Sequence, residues 1–366
     1  MSEAGYLLTE GDLRALAIGA ALLGTGGGGN PYVGMLRTRE LMRKGASVRV
    51  LPLDALPDDA WVAEVGGIGA PVVGVEKFEE GAECLRAMRA VEEAAGVKVA
   101  ATISGEIGGA NSMEPIITAA QSGLPVIDGD GMGRAFPEVQ MSTFMIYGAK
   151  PAPSAIADEK GNVVVFREVI DMYWLETFAR GVAVNMGAAA GFAIAPMRMD
   201  FIRRTAVPGT VTQALEIGRA VLDARARRQN VIERVCAATG AQVFFTGKIV
   251  DVRRELIGGF ARGRAVIAGV NEWTGSEAQI AIQNENLVLW VDGVPKVVVP
   301  DLIMNLELDT GEPITTEILR YGQRVAVIGL PAHPLMKTPE ALEVVGPKAF
   351  GYPELTFTPL NAAKAA

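Results

Sequence analysis

The sequence predicts an α/β protein: a mostly parallel sheet with flanking helices, joined to a second, β-rich domain that carries one long helix. Three observations predict it. Helical and strand-like patterns alternate over roughly the first 150 residues, as they do in parallel sheets with crossover helices. Carboxylates beside glycines follow apolar strands. From Gln242 to Leu308 the chain then reads as strand after strand.

The elements follow in order. Thr9 and Asp12 resemble a capping box, and Leu13, Leu16, Ala17 and Ala20 share one helical face. Gly24-Thr25-Gly26-Gly27-Gly28-Gly29 follows, then Asn30 as an N-cap and Pro31 as a first-turn proline of a second helix. Strands are expected at Val48 to Leu53, Trp61 to Val65, Val97 to Ile103 and Pro125 to Asp128. Helices are expected at Gly81 to Ala95 and Ser112 to Gln121. Past Pro151 the texture changes, with a strand at Asn162 to Glu168. Pro208-Gly209-Thr210 opens a helix whose capping box Gln213 completes. Strands follow at Phe244 to Val252, Ala265 to Val270, Ala278 to Gln283, Leu287 to Val291 and Lys296 to Val299, with Asp292-Gly293 as a hairpin turn. Val325 to Gly329 reads as one more buried strand, rejoining the first sheet. The expected organisation is an α/β domain over 1–165, rejoined by 306–366, and a β-rich domain over 166–305.

Composition narrows the function classes. A chain of 366 residues, 49% hydrophobic and 21% charged, is ordinary globular material of about two domains. Its 34 basic and 42 acidic residues give a net charge of −8, which speaks against nucleic-acid binding. Cys84 and Cys236 lie far apart, which fits a cytoplasmic address and excludes a thiolate metal site. The start of the chain lacks the pattern of a signal peptide. Gly181 to Met197, interrupted by Asn185 and Pro196, reads as buried core rather than a membrane span.

The glycine loop matches G-x-G-x-x-G at Gly24, Gly26 and Gly29, but it follows a helix, and no acidic residue stands where a ribose would need one. No nicotinamide or flavin is therefore expected. Gly26, Gly27, Gly28, Gly29 and Asn30 could still present backbone amides and a helix N-terminus to a carboxylate, phosphate or ring carbonyl. A tight packing corner is the plainer alternative, and a nucleotide site a third.

Three segments place carboxylates at strand ends or turns: Glu76-Lys77, Glu106 to Ser112 and Asp128 to Arg134. Ligands of open parallel sheets bind beyond the carboxyl ends of the strands. Asp128, Asp130 and Glu106 are thus candidate catalytic groups. Asp128 and Asp130, two apart on an extended segment, would share a side and could hold a divalent cation. Asn111, Ser112, Arg134 and Glu76 are candidate substrate contacts, with Arg134 offering a planar fork to oxygens. Turn chemistry and a Glu106–Arg134 ion pair are the structural alternatives. His333, the single histidine, follows a strand and fits a turn role as well as a place in the cleft.

The segments Leu23 to Tyr32, Glu106 to Ser112, Asp128 to Glu138 and Gly346 to Tyr352 resemble a bacterial family labelled S-methyl thiohydantoin desulfurase, over nearly the whole chain. The resemblance implies hydrolytic removal of a sulfur substituent from a thiohydantoin ring, leaving a hydantoin. It also implies association with hydantoinase- or oxoprolinase-type proteins, either as an enzyme or as an accessory, ligand-binding subunit. A small heterocycle is the expected ligand, and apolar strands in the second domain suggest a homo-oligomer.

Overall fold

The computed structural model describes residues 5–69, 73, 77, 79–257 and 260–361, and it contains two sheets with helices between and around them. The first sheet comprises β1 (Tyr6–Leu8), β2 (Val48–Leu51), β3 (Trp61–Gly69), β4 (Ala101–Ser104), β5 (Val126–Asp130), β6 (Ser154–Ala157), β7 (Val163–Phe166), β8 (Ala189–Ala193), β9 (Met197–Arg198) and β10 (Val207–Pro208). Its order is β1-β2-β5-β4-β3-β8-β6-β7, with β9 beside β3 and β10 beside β5. The centre, β2-β5-β4-β3, is parallel. Antiparallel pairs extend it on both sides.

The second sheet comprises β11 (Gln242–Ile257), β12 (Phe260–Gly269), β13 (Glu277–Gln283), β14 (Glu285–Val291), β15 (Val294–Val298), β16 (Leu302–Glu307) and β17 (Arg324–Leu330). It runs β15-β14-β13-β12-β11-β17-β16, every pair antiparallel. Asp292 and Gly293 both take positive φ between β14 and β15, as a two-residue hairpin turn requires.

The helices are α1 (Leu13–Leu23), α2 (Tyr32–Arg43), α3 (Glu83–Ala95), α4 (Glu114–Ser122), α5 (Thr143–Ile146), α6 (Met172–Asn185), α7 (Met199–Thr205), α8 (Thr210–Ala226), α9 (Val231–Thr239) and α10 (Pro339–Val345). All are short, the longest described being α8 at 17 residues. α1 is buried nearly all round because it lies between layers, touching both α8 and β16. α1 and α8 cross backbone to backbone. A Cβ on Gly19 would strike the Ala214 carbonyl, and one on Gly218 the Ala15 carbonyl. Leu16, Leu23, Ile217 and Val221 thereby join Val288, Ala326 and Ile328 of the second sheet in one core. Each such side chain, fully buried, contributes about 1.5–3 kcal/mol.

Three sequence expectations are corrected. The one long helix expected in the β-rich half is α8, which is of modest length and packs along α1. The strand expected to rejoin the first sheet, β17, sits inside the second, between β11 and β16. What returns to the first half is α10 and the turn after it, which lean on α5 and stack Phe350 on Phe136 at 6.3 Å between ring centroids. Conversely, β8, β9 and β10 lie past residue 166 yet complete the first sheet.

Candidate functional site

The carboxyl ends of the parallel strands carry a cluster of buried acids. Glu106 follows β4, Asp130 ends β5, and Glu64 lies on β3, level with the last residues of β4. All three are buried, at 7%, 0% and 7% relative exposure for Glu106, Asp130 and Glu64. The backbone between β4 and Glu106 connects them. Gly105 lies against the Glu64 carboxylate, leaving no room for a Cβ. Two residues on, the Ile107 amide donates to Asp130 Oδ2 at 2.8 Å.

Asp130 Oδ2 also receives the Met132 and Gly133 amides, at 3.0 and 2.8 Å. Its Oδ1 has no donor in hydrogen-bond geometry among the described residues, nor has Glu64 Oε2. Glu106 accepts from Asn111 Nδ2 at 2.6 Å and from the Phe136 amide at 3.1 Å. Burial is the main force on all three and disfavours their charged forms. It pushes Asp130 up to about 7 against the pull of its three amide donors. Glu106 rises to about 7 despite Asn111 and Phe136. Glu64, burdened also by the neighbouring Asp130 and Glu106 charges, rises to about 8.

Asn111 is the outward member. Its carbonyl oxygen accepts the Gly67 amide at 2.6 Å and its amide donates back to the Gly67 carbonyl at 3.2 Å. Gly67 is exposed, so Asn111 stands between solvent and Glu106. A small pocket of about 10 Å³ opens beside Gly67, lined also by Lys77, Glu79, Cys84 and Glu114. That is room for about one water molecule.

The glycine loop does receive a carboxylate, and it is the protein's own. A Cβ on Gly27 would land inside the Glu285 side chain, and the Gly28 amide helps to hold the Glu285 charge. Burial nonetheless holds the Glu285 carboxyl well above the ordinary range. Gly26 fits against Asn286 and Thr316, whose amides bond Thr25 and Gly26 carbonyls at 2.8 and 2.7 Å. Gly28 and Gly29 carbonyls accept the Ala110 amide, at 2.8 and 3.1 Å. The loop thus joins the Glu106–Ser112 segment to the second sheet, which is the packing-corner alternative with a buried acid added. Asn30 is exposed and accepts the Tyr32 amide at the start of α2, at 2.9 Å.

The other candidates separate. Asp128 and Asp130 do not converge. The β4–β5 register slips between Thr102–Val126 and Ser104–Asp130, so the two-residue period fails there. Asp128 instead caps α8, accepting the Val211 and Thr212 amides at 2.9 and 3.1 Å and the Thr212 hydroxyl at 2.5 Å. It supplies the capping oxygen that the expected capping box would have drawn from the helix's own first turn, where the N-cap Gly209 has no side chain to give one, and the pair forms no two-carboxylate cation seat. Among the described residues no group of three or more His, Cys, Asp or Glu is arranged to hold a metal ion.

Arg134 is fully buried, and its five hydrogen bonds go to the carbonyls of Ala135, Pro300, Asp301 and Asn286 and to the Thr25 hydroxyl, so no fork is left for a ligand. The Glu106 ion pair is not formed among the described residues. Ser112 is turned inward on the Gly109 carbonyl at 2.7 Å. Glu76 lies outside the described residues. Lys77 donates to the Met186 and Ala189 carbonyls, both at 2.6 Å, and pairs with Glu159 at 2.7 Å. His333 Nδ1 accepts the Leu335 amide at 3.3 Å, a turn role.

Glu64 and Glu285 were absent from the sequence-derived candidates. Glu64 had a readable signal, a lone carboxylate inside the apolar run Trp61-Val62-Ala63-Glu64-Val65. Glu285, the first residue of β14 in the polar run Gln283-Asn284-Glu285-Asn286, had none.

No described helix is long and apolar enough to cross a membrane. No curated protein matches the chain. A crystal structure of a protein from Chromobacterium violaceum shares the fold, with a TM-score of 0.81 at 24% identity over 97% of this chain and 100% of that one. The N-terminal domain of the S-Me-THD-like family matches residues 11–168 and its C-terminal domain residues 170–360. This chain belongs to the S-Me-THD-like family.

Proposed function

We propose that the protein is a hydrolase of a small five-membered heterocycle, desulfurising an S-substituted thiohydantoin to the hydantoin. One observation carries the reading: Glu64, Glu106 and Asp130 lie buried together at the strand ends with proton affinities brought near neutrality. Three ionised carboxylates in one buried site would cost several kcal/mol each. The cluster therefore holds protons at neutral pH and can exchange them, which is the property acid–base catalysis needs.

In this reading an ionised carboxylate, Glu106 or Asp130, takes a proton from water as its oxygen bonds to the ring carbon bearing sulfur. The C–S bond breaks, the departing thiolate takes a proton from a second, neutral carboxyl, and the proton left on the new hydroxyl passes to the ring nitrogen, leaving a ring carbonyl and a thiol. The proton count balances without redox change. The family's name supports the substrate class, and Asn111 marks the side from which the ring would approach.

A second reading, an accessory or ligand-binding subunit of a hydantoinase- or oxoprolinase-type enzyme, draws on the closeness of the packing beside Gly67. Thiol release from an S-methyl thiohydantoin by the purified chain, compared with Glu106→Gln and Asp130→Asn, separates the two. Turnover lost in both variants while their melting curves stay cooperative supports the enzyme. Turnover unchanged in both removes these residues from the mechanism, and turnover only with a partner present supports the accessory.

A further inference from the structure

The second sheet holds a cleft that the carboxylate cluster does not use. It measures about 370 Å³, within the range of small-ligand sites. Arg253, Arg264, Gln279, Ala281, Trp290 and Tyr352 line it. Strand register assembles it. Arg253 of β11 faces Arg264 of β12 directly, Arg264 faces Ala281 of β13, and Gln279 faces Trp290 of β14. Tyr352, from the Gly346–Tyr352 motif, closes the side, its ring 6.0 Å from that of Trp290 and inclined by 59°.

Two features point to a ligand. Like charges directly opposite on paired strands destabilise a sheet, and among the described residues no carboxylate pairs with Arg264. Among the described residues the acidic partner of Arg253 is Asp251, 3.4 Å from the Nε of a largely exposed Arg253 side chain. In addition, the polar groups converge unused: among the described residues Arg264, the Gln279 amide, the Trp290 N–H and the Tyr352 hydroxyl have no hydrogen-bond partner. In a chain of net charge −8, a paired guanidinium site beside two rings selects an anion, and a flat one. The small side chain of Ala281 lines the cleft beside Trp290 and Tyr352.

We infer that this cleft binds a flat ring bearing a carboxylate or phosphate, held by Arg253 and Arg264 at the charge and by Trp290 and Tyr352 at the ring. It is separate from the acid cluster: Glu64, Glu106 and Asp130 are not among its lining residues, and Trp290 stands five residues along β14 from Glu285, the acid that feels the Glu106 charge, roughly 17 Å of strand.

Calorimetric titration of the full chain tests it with benzoate, phenyl phosphate, benzamide and acetate. Benzoate or phenyl phosphate should bind, with benzamide and acetate each weaker by about tenfold or more. Arg264→Gln should weaken the anion by about tenfold and Arg253→Gln with Arg264→Gln should abolish it. Both positions are on the surface, so folding is preserved and a melting curve confirms it. Failure of both ring anions to bind, equal binding of benzamide or acetate, or unchanged affinity in the double variant overturns the proposal. Glu106→Gln should leave the affinity intact; loss of binding there would place the anion at the acid cluster and equally overturn the assignment. Because that variant is silent here, failure of the hydrolase reading leaves the result interpretable.

Discussion

The Asn111 amide nitrogen donates to Glu106 Oε1 at 2.6 Å while its own oxygen is pinned by the Gly67 amide at 2.6 Å. This bond favours the ionised form of Glu106 and, among the described residues, is the side-chain bond that opposes its desolvation. Asn111→Leu removes it. A hydrogen bond to a charged group is worth about 1.5–3 kcal/mol, or about one to two pH units. The base limb of the pH–rate profile should move upward by about that amount, with KM changing less than kcat. Unchanged pH dependence with a uniform loss of rate would make Asn111 a packing residue only.

The raised acids also govern stability. In the unfolded chain Glu64, Glu106 and Asp130 titrate near 4, whereas in the fold they hold protons to about 8, 7 and 7. The native state therefore binds more protons between those limits. Its stability is fully present below about pH 4 on this account and is lost as pH rises through about 7–8. Glu64→Gln imitates the protonated form. It should unfold at higher denaturant than the parent at about pH 9, by on the order of a few kcal/mol, and converge with it towards about pH 5. A difference independent of pH would refute the assignment.

Asp128 and Asp130 should separate cleanly by substitution. Asp128→Ala strips the cap from α8 and should cost about 1–2 kcal/mol in a urea melt, with turnover per folded molecule retained. Asp130→Asn leaves an oxygen for the Ile107, Met132 and Gly133 amides, so the fold should survive while turnover falls. Reversal of this pattern would restore Asp128 as the acting carboxylate.

These cases show what was legible in the residues. Alternating apolar patterns gave the parallel centre and the hairpins of the second sheet, because side-chain period and turn chemistry are local. Glu106 and Asp130 were visible as acids at strand ends, whereas the slip in β5 that turns Asp128 away depends on β4 and was not. The glycines announced a close approach to an oxygen-bearing group but not that Glu285, far along the chain, is that group. β8 and β10 were unreadable as members of the first sheet: β8 is chosen by pairing with the distant β3 and β6, and the two-residue β10 by pairing with β5. Arg134 looked like a ligand fork because a buried arginine and a binding arginine have the same sequence neighbours.

Arg134 gives the sharpest structural test. Its Nε reaches the Ala135 carbonyl at 3.0 Å, Nη1 the Pro300 and Asp301 carbonyls at 2.9 and 3.0 Å, and Nη2 the Thr25 hydroxyl at 2.9 Å. Its ring neighbour, Phe136, lies 4.4 Å below the guanidinium carbon. One planar group thus ties the glycine loop, the Asp130–Arg134 turn and the β15–β16 connection together. A lysine carries the charge but cannot reach three directions in one plane. Arg134→Lys should therefore lose about 3 kcal/mol or more of stability, since several buried carbonyls are stranded at once. Urea unfolding measures it. A variant that melts like the parent but no longer turns over substrate would instead give Arg134 a direct part in the chemistry.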